Sequence, residues 1–303
     1  MGGGVPDERR RPASTIVRMR RQLDDLWDLS CIAMPAVAVV AAPAAVVAGA
    51  VGAWWAAAPL AVAAAGSLAF TAWPRRRMRA SPPTDGVRIV AANLWYKNRA
   101  MDEAARQILA LSPDVVVISE LGQAAHDVLV DAFPHHDVLA IGGPRGHAVF
   151  SRFPLERLEQ PPVIGPVLRV RVLAPAPFEL FAAHLPRATM VAHPDDGTEL
   201  VHVCRAEVFE LATWLDRAPQ AMLAGDLNLT DRQPGYRRLL RGRRDAMRSA
   251  RAGDTFLGIT WRLMAMRIDH MIVPPGWSVT GARAFRVAGS DHRAITAVVG
   301  VPG

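Results

Sequence analysis

The sequence predicts an α/β fold: two packed mixed β-sheets flanked by helices, a four-layer α/β sandwich, preceded by an N-terminal transmembrane helical hairpin. Three observations carry this. Short β-branched runs recur over residues 87–303, each closing on a polar residue, as in strands buried on both faces or packed sheet on sheet. Helical periodicity appears between only some of them, at 101–111, 122–133 and 202–217, so strands outnumber helices and a simple doubly wound sheet is disfavoured. An uncharged stretch of 44 residues, 30–73, precedes them all.

A membrane-crossing helix needs about 20 apolar residues. Residues 30–73 are too long for one such span and too short for three. Two spans fit, at 31–51 and 56–73, turning near Gly52 to Trp55. Trp54 and Trp55 would then lie at one interface and Trp73 at the other. A cleavable signal peptide fits poorly, because its apolar core is only about 7–15 residues long. The competing reading is a buried, Ala-rich hairpin of a soluble protein. Arg18, Arg20 and Arg21 precede the first span, and Arg75, Arg76, Arg77 and Arg79 follow the second. Positive flanks stay on the cytoplasmic side, which would put both termini inside. The expected location is the cell membrane, multi-pass, with the side of the following domain left open. Residues 1–29 read as a polar, Arg-rich segment and 30–80 as the hairpin with its basic flank. Residues 81–303 read as a soluble domain that opens on Ser81-Pro82-Pro83-Thr84-Asp85-Gly86 and is expected to fold without what precedes it.

The formal charge is +7, and its location is informative. Residues 1–80 carry ten Arg against five acids, whereas 81–303 carry 25 basic and 23 acidic residues. The excess sits beside the apolar stretch, and the near-neutral domain argues against tight binding to long nucleic acid. Cys31 and Cys204 stand in unrelated contexts and form neither a disulfide framework nor a metal knuckle.

Along the domain, 87–92 runs into Asn93 and 115–119 into Glu120. Met101-Asp102-Glu103 places acids in the first turn of its helix, where they suit the dipole. Residues 167–185 read as a hairpin, with 178–183 ending at His184. Residues 221–225 lead to Asp226 and Asn228, and Ile268 precedes Asp269 and His270. Gly289-Ser290-Asp291-His292 opens the last apolar strand, 294–299. Each polar residue alone is ordinary, since an Asp after a strand is commonly a turn former or helix cap. If the strand ends converge, they make an acidic pocket with two imidazoles. Phosphoester hydrolysis needs such a set: a hard cation, a group that orients water, and donors for developing charge.

Seven motifs follow one another in order: Ala91-Ala92-Asn93-Leu94, the stretch from Pro113-Asp114 to Ser119-Glu120, Gly146-His147-Ala148-Val149-Phe150-Ser151-Arg152-Phe153-Pro154, Ala183-His184-Leu185, Gly225-Asp226-Leu227-Asn228, Arg267-Ile268-Asp269-His270 and Ser290-Asp291-His292. Over 87–303 the chain thereby resembles the endonuclease/exonuclease/phosphatase superfamily, which includes deoxyribonuclease I, exonuclease III type repair enzymes, sphingomyelinases and inositol polyphosphate phosphatases. The resemblance implies Glu120 as the main magnesium ligand, with Asn93 close by and Asp291 contributing directly or through water; manganese is the alternative ion. Asp226 would position or activate the attacking water, and Asn228 would hydrogen-bond the phosphate. His292 would contact a phosphoryl oxygen or act as acid/base, oriented by Asp269, whose carboxylate raises the imidazole pKa. His184 would stabilise negative charge or protonate the leaving group. Beyond this set, Arg145 and Arg187 could hold a second phosphate, and His147 could line the cleft. His270 should point away, since strand neighbours alternate faces. Arg237, Arg238, Arg241, Arg243 and Arg244 suit a solvated or lipid-headgroup-facing surface.

Exonuclease III type enzymes tend to carry a Tyr-containing motif at the place of His184, and Tyr96 and Tyr236, the only tyrosines here, stand in no such motif. That tilts toward the deoxyribonuclease I, sphingomyelinase and phosphatase branches. The domain also resembles a membrane-anchored bacterial group that includes the actinobacterial teicoplanin-resistance membrane proteins, thought to act on polyprenyl pyrophosphate or related envelope lipids. The stretch from Trp261 to Arg267-Ile268-Asp269-His270 fits it. That group commonly has three spans and an outward-facing catalytic domain, which departs from the two spans counted here. The expected function is a membrane-anchored, metal-dependent phosphatase or phosphodiesterase acting on a phospholipid-like or small phosphorylated substrate by metal-assisted attack of water. A metal-dependent nuclease acting on nucleic acid is the alternative, and would require a basic groove and salt-sensitive activity. An inactive binding module on the same fold is the third reading, and the intact ligand set counts against it.

Overall fold

The computed structural model describes residues 15–72, 86–187, 197–249, 254–256 and 266–302; Trp73, Arg75, Arg76, Arg77, Arg79, linker residues 81–85 and Trp261 lie outside them. Two helices, α1 (Thr15–Ala50) and α2 (Trp54–Ala72), pack on each other and turn at Gly52, where φ is +77°. The turn falls where the sequence predicts it. The helix itself starts at Thr15, well before the uncharged stretch opens. Its Leu23–Ala50 portion is long and apolar enough to cross a bilayer. The apolar part of α2, Trp54–Phe70, reaches only about 25 Å, short of the roughly 30 Å hydrocarbon core. Among the described residues one crossing helix is therefore supported, and the expected multi-pass arrangement is not. Only 17% of the apolar window in α1 is buried, so it is not a core helix of the domain.

The chain then forms β1 (Val87–Asn93), α3 (Met101–Leu109), β2 (Val115–Ser119), α4 (Gln123–Ala132), β3 (His135–Ala140), β4 (His147–Ser151) and β5 (Leu155–Arg157). It continues as β6 (Val167–Val172), β7 (Phe178–His184), α5 (Gly197–Arg217), β8 (Met222–Asp226), α6 (Pro234–Leu239), β9 (Arg244–Asp245), β10 (Asp269–Val273), β11 (Ser278–Arg286) and β12 (Arg293–Gly300). One sheet has the order β11-β12-β1-β2-β4-β3 and the other β5-β6-β7-β8-β10-β9.

Strand alternation builds the layers. In β1 the side chains of Val87, Ile89 and Ala91 face the other sheet, where they join Leu180, Ala182, Ala224 and Met271. Val90 and Ala92 face the opposite way and pack with Ala104 and Ile108 of α3 and Leu129 of α4. On the far side of the second sheet, Phe181, Leu223 and Ile272 pack with Leu211 and Leu215 of α5. Strands covered on both faces read as nearly continuous apolar runs. The predicted sandwich is therefore the observed one, with helices outside two mixed sheets. The predicted hairpin over 167–185 is β6 and β7, paired antiparallel.

Two positions tie this packing to sequence. Gly225 has φ +137°, and a Cβ there would lie 2.1 Å from the Ala183 carbonyl oxygen of the neighbouring strand. His147 begins β4 between the sheets, fully buried, with Nε2 donating to Ala182 O at 3.1 Å. It does not line a cleft, because the pleat turns it inward. Burial holds its imidazole down to about 4.

Gly225→Ala should lower stability by more than about 2 kcal/mol in urea unfolding. Gly242→Ala, at φ +68° with open space around it, should lose only about 1 kcal/mol. Equal losses would mean that β7 does not approach Gly225 closely. His147 makes a second prediction. Its folded pKa lies below the ordinary 6.5, so the unfolded chain takes up the proton first as pH falls. The stability it contributes is full above that value and is lost on acidification toward the folded pKa. Between pH ~6.5 and ~4.5, wild type should lose about 2 kcal/mol more than His147→Gln; parallel pH profiles would show His147 to be charged or exposed.

Candidate active site

Strand pairing decides which ends meet. β1 and β2 run parallel with Asn93 opposite Ser119, so Asn93 and Glu120 leave the first sheet at one edge. β12 runs antiparallel to β1 and is preceded by His292 at that same edge. In the second sheet β7 and β8 run parallel with His184 opposite Asp226. β10 runs antiparallel to β8, with Asp269 opposite Asp226.

Just past the strand ends, Glu120 and Asn228 adopt φ of +56° and +48°. Non-glycine residues rarely occupy this region, and such strain persists only where the surroundings overdetermine it. Glu120 Oε2 accepts from Tyr96 N at 2.8 Å. Asn228 N donates to Asp226 Oδ1 at 2.9 Å, and its Nδ2 to Leu185 O at 2.8 Å. The Asn228 amide is thus committed to the neighbouring strand end.

Asn93 joins the two sheets. Its Nδ2 donates to Glu120 Oε1 and Asp226 Oδ2, both at 3.0 Å, while Oδ1 accepts from Trp95 N at 2.9 Å. In this orientation Asn93 donates to both carboxylates and holds them beside the position expected for a cation. His184 Nε2 lies 3.7 Å from Asp226 Oδ2 and 3.9 Å from Glu120 Oε1. On the other side of Asp226, His292 Nε2 lies 3.8 Å from Oδ2. His292 Nδ1 donates to Asp269 Oδ2 at 2.9 Å.

Burial opposes a charge on His292, but Asp269, Asp226 and Asp291 outweigh it and raise the imidazole to about 9. Burial also raises Asp269, and the imidazolium draws it back; the pair keeps its proton on His292. Burial raises the Asp291 carboxyl as well, with His292 working against the shift and Glu120 adding to it. Asp291 Oδ1 is buried without a hydrogen-bond partner. Asp226, Asp269 and His292 bring potential ligand atoms within 4.8 Å of one another. A protonated imidazole offers no lone pair, so the acceptors left for a cation are carboxylate oxygens.

The other expected residues separate. Arg187 lies over the Phe256 ring at 5.4 Å, and Phe256 packs on the His292 ring at 5.0 Å, so Arg187 reaches the rim. Arg145 turns to Ile164 O at 3.0 Å and takes no part in the cluster. His270 points away as expected, with Nε2 donating to Leu229 O at 2.8 Å. The arginine run divides: Arg237 and Arg241 are exposed as expected and Arg238 pairs with Asp216 at the surface, whereas Arg243 donates to Leu215 O and Arg244 to Trp277 O. Two supports went unread in the sequence. Thr255 Oγ1 accepts from Ile268 N and Asp269 N, each at 3.0 Å. Ser290 Oγ accepts from His292 N at 3.0 Å and donates to Asn93 O at 2.7 Å. Ser290 stands inside a motif that could have marked it, whereas Thr255 and Phe256 carry no such signal.

Solved structures share this fold. An endonuclease/exonuclease/phosphatase from Beutenbergia cavernae DSM 12333 is 19% identical, with a TM-score of 0.54 and 72% of each chain covered. Humanized D. rerio TDP2 is 18% identical with a TM-score of 0.57, covering 71% of this chain and 99% of that one. The 3'-5' exonuclease NExo from Neisseria meningitidis is 18% identical with a TM-score of 0.53, covering 69% and 98%. These likenesses concern the fold. No curated protein matches significantly, and the narrower likeness to the teicoplanin-resistance group is not confirmed by these comparisons. The Endonuclease/Exonuclease/phosphatase family profile matches residues 90–292, two thirds of the sequence and every motif from β1 to His292, and the chain belongs to that family.

Proposed function

We propose that this chain is a membrane-associated, divalent-metal-dependent phosphoesterase whose substrate carries its phosphate on a lipid or another small molecule. The observation that carries the reading is the convergence on one edge of the buried Glu120 and Asp226, the half-buried Asp291 and the charged His292–Asp269 pair. Glu120 and Asp291 fit a magnesium or manganese ion. Both offer hard oxygen donors, and Asp291 has a buried oxygen that nothing satisfies. When bound, the cation neutralises phosphoryl oxygens and the departing alkoxide.

The chain's own residues supply the rest. Asn93 fixes the Glu120 and Asp226 carboxylates relative to each other through its two 3.0 Å bonds. Asp226 holds the attacking water and accepts its proton. His292, held cationic by Asp269, donates to a phosphoryl oxygen. His184, on the opposite side of Asp226, faces the leaving group. Asn228 keeps Asp226 in register from its backbone N–H. Arg187, at the rim, takes a second phosphate or a headgroup. Support for a lipid-borne substrate comes from the hairpin, where Val40, Val46, Trp54 and Trp55 are 70–84% exposed.

Asp226→Asn should lower kcat roughly 10²–10⁴-fold while magnesium still binds, read by turnover and calorimetry on one preparation. Glu120→Gln should raise the magnesium needed for half-maximal rate by about 10–100-fold. A wild-type magnesium response in that variant would remove Glu120 from the ligands. The deciding experiment offers polyprenyl pyrophosphate and plasmid DNA in parallel to the full chain in detergent, with magnesium or EDTA. EDTA-sensitive phosphate release with intact plasmid supports the proposal. Plasmid nicking without phosphate release makes the protein a nuclease.

A further inference from the structure

A carbonyl freed inside α1 is met by a buried arginine from the active-site loop. Pro35 lies within α1 and has no N–H, so the Cys31 carbonyl four residues earlier loses its helical partner. Arg232 Nε donates to that oxygen at 3.0 Å. Arg232 and Cys31 are both buried, at 0% and 1% exposure. Arg232 belongs to the segment that leaves β8 through Asp226 and Asn228. A second contact stands beside it: Arg205 on α5 donates to Asp28 at 3.1 Å and lies 3.4 Å from Asp24. Between these contacts is a cavity of about 20 Å³ walled by Asp28, Pro186, Arg205, Leu227, Asn228 and Gln233. The helix and the active-site loop therefore share one wall.

The contact also continues inward. Arg232 Nη1 donates to Asp231 at 3.4 Å, and Asp231 accepts from Arg267 at 3.3 Å. Arg267 pairs with Asp245, which lies 3.5 Å from His270 Nδ1. His270 follows Asp269, the residue that orients His292.

We propose that Arg232 clamps α1 onto the loop that carries Asp226 and Asn228, making it a positioning residue and making the 23–35 part of α1 a working wall of the catalytic domain. This stands against the expectation that residues 81–303 operate as an independent unit. It concerns coupling between helix and loop, and does not depend on which phosphoester is the substrate.

The test uses the full chain in lipid nanodiscs. Hydrogen exchange is followed over 23–31 and 226–233, and turnover with bis(4-nitrophenyl) phosphate and magnesium. Asp28→Ala combined with Arg205→Ala releases α1 from its own side and leaves Arg232 in place. The clamp predicts exchange about tenfold faster in both segments. It also predicts kcat roughly ten- to hundredfold lower, with KM changed less than about twofold. Arg232→Lys should recover part of the kcat that Arg232→Met loses, because a donor remains. Faster exchange over 23–31 with the wild-type rate over 226–233 overturns the proposal, and this readout decides it even where the probe ester is not turned over.

Discussion

Strand β8 lies between a parallel partner and an antiparallel one, and that pairing is what creates a site. A parallel neighbour ends at the same edge, so β7 delivers His184 beside Asp226. An antiparallel neighbour starts there, so β10 delivers Asp269. The first sheet repeats the device around β1, with β2 parallel and β12 antiparallel. Packing the two sheets face to face then brings both edges together. The bare backbone of Gly225 against Ala183 O is the local condition for this, because any side chain there would push β7 and β8 apart at the point where their functional ends align.

Two buried polar clusters lie close in the sequence, and their bonding distinguishes them. Arg232, Arg267, Asp231, Asp245 and Tyr236 form a set in which two cations match two carboxylates inside the protein. Removing one partner from such a set leaves an uncompensated charge, which is destabilising, so its role is structural. The second cluster is not balanced in the same way. Asp226, Asp269 and Asp291 act on the His292 imidazolium, Glu120 lies 3.9 Å from His184, and an Asp291 oxygen is left without a partner. A buried acceptor costs free energy unless something donates to it or binds it. That imbalance, more than the number of acids, is what supports the proposed cation and phosphate at this edge.

Most of this was legible because strands buried on both faces show as apolar runs that stop at a polar residue. Asn93, Glu120, His184 and Asp226 follow that rule, whereas Asp269 and His292 stand at the start of the antiparallel strands that run back from the same edge. The failures share another physical cause. His147 sits beside a glycine like a cleft residue, but the strand pleat decides its direction, and sequence proximity does not. The place of Asn93 near the cation came from the family resemblance, and its amide orientation, which depends on Trp95 N and two carboxylates beyond β1, is not encoded locally. Thr255 and Phe256 act through contacts with Asp269 and His292 that no local pattern encodes. The start of α1 read as a polar segment outside the fold because Asp24 and Asp28 find their partner, Arg205, in a distant helix. Hydropathy reports local composition and is blind to such ion pairs.

Under the proposed membrane association, the docking of α1 gives an anchor a second part in catalysis. A flexible tether would leave the cleft free to tumble, and the benefit of attachment would be limited to local concentration. Here the helix carbonyl released by Pro35 is bonded to the loop beyond Asp226. Val40, 71% exposed, lies nine residues past Cys31 in the same helix, or about 14 Å along its axis. Exposed apolar side chains of α1 thus stand within about 14 Å, along the helix axis, of the carbonyl that Arg232 holds. Under that association, a helix fixed in this way would set the orientation of the cleft as well as its distance from the surface. Orientation contributes to rate in a way that concentration alone does not, because reacting atoms must approach along a defined line.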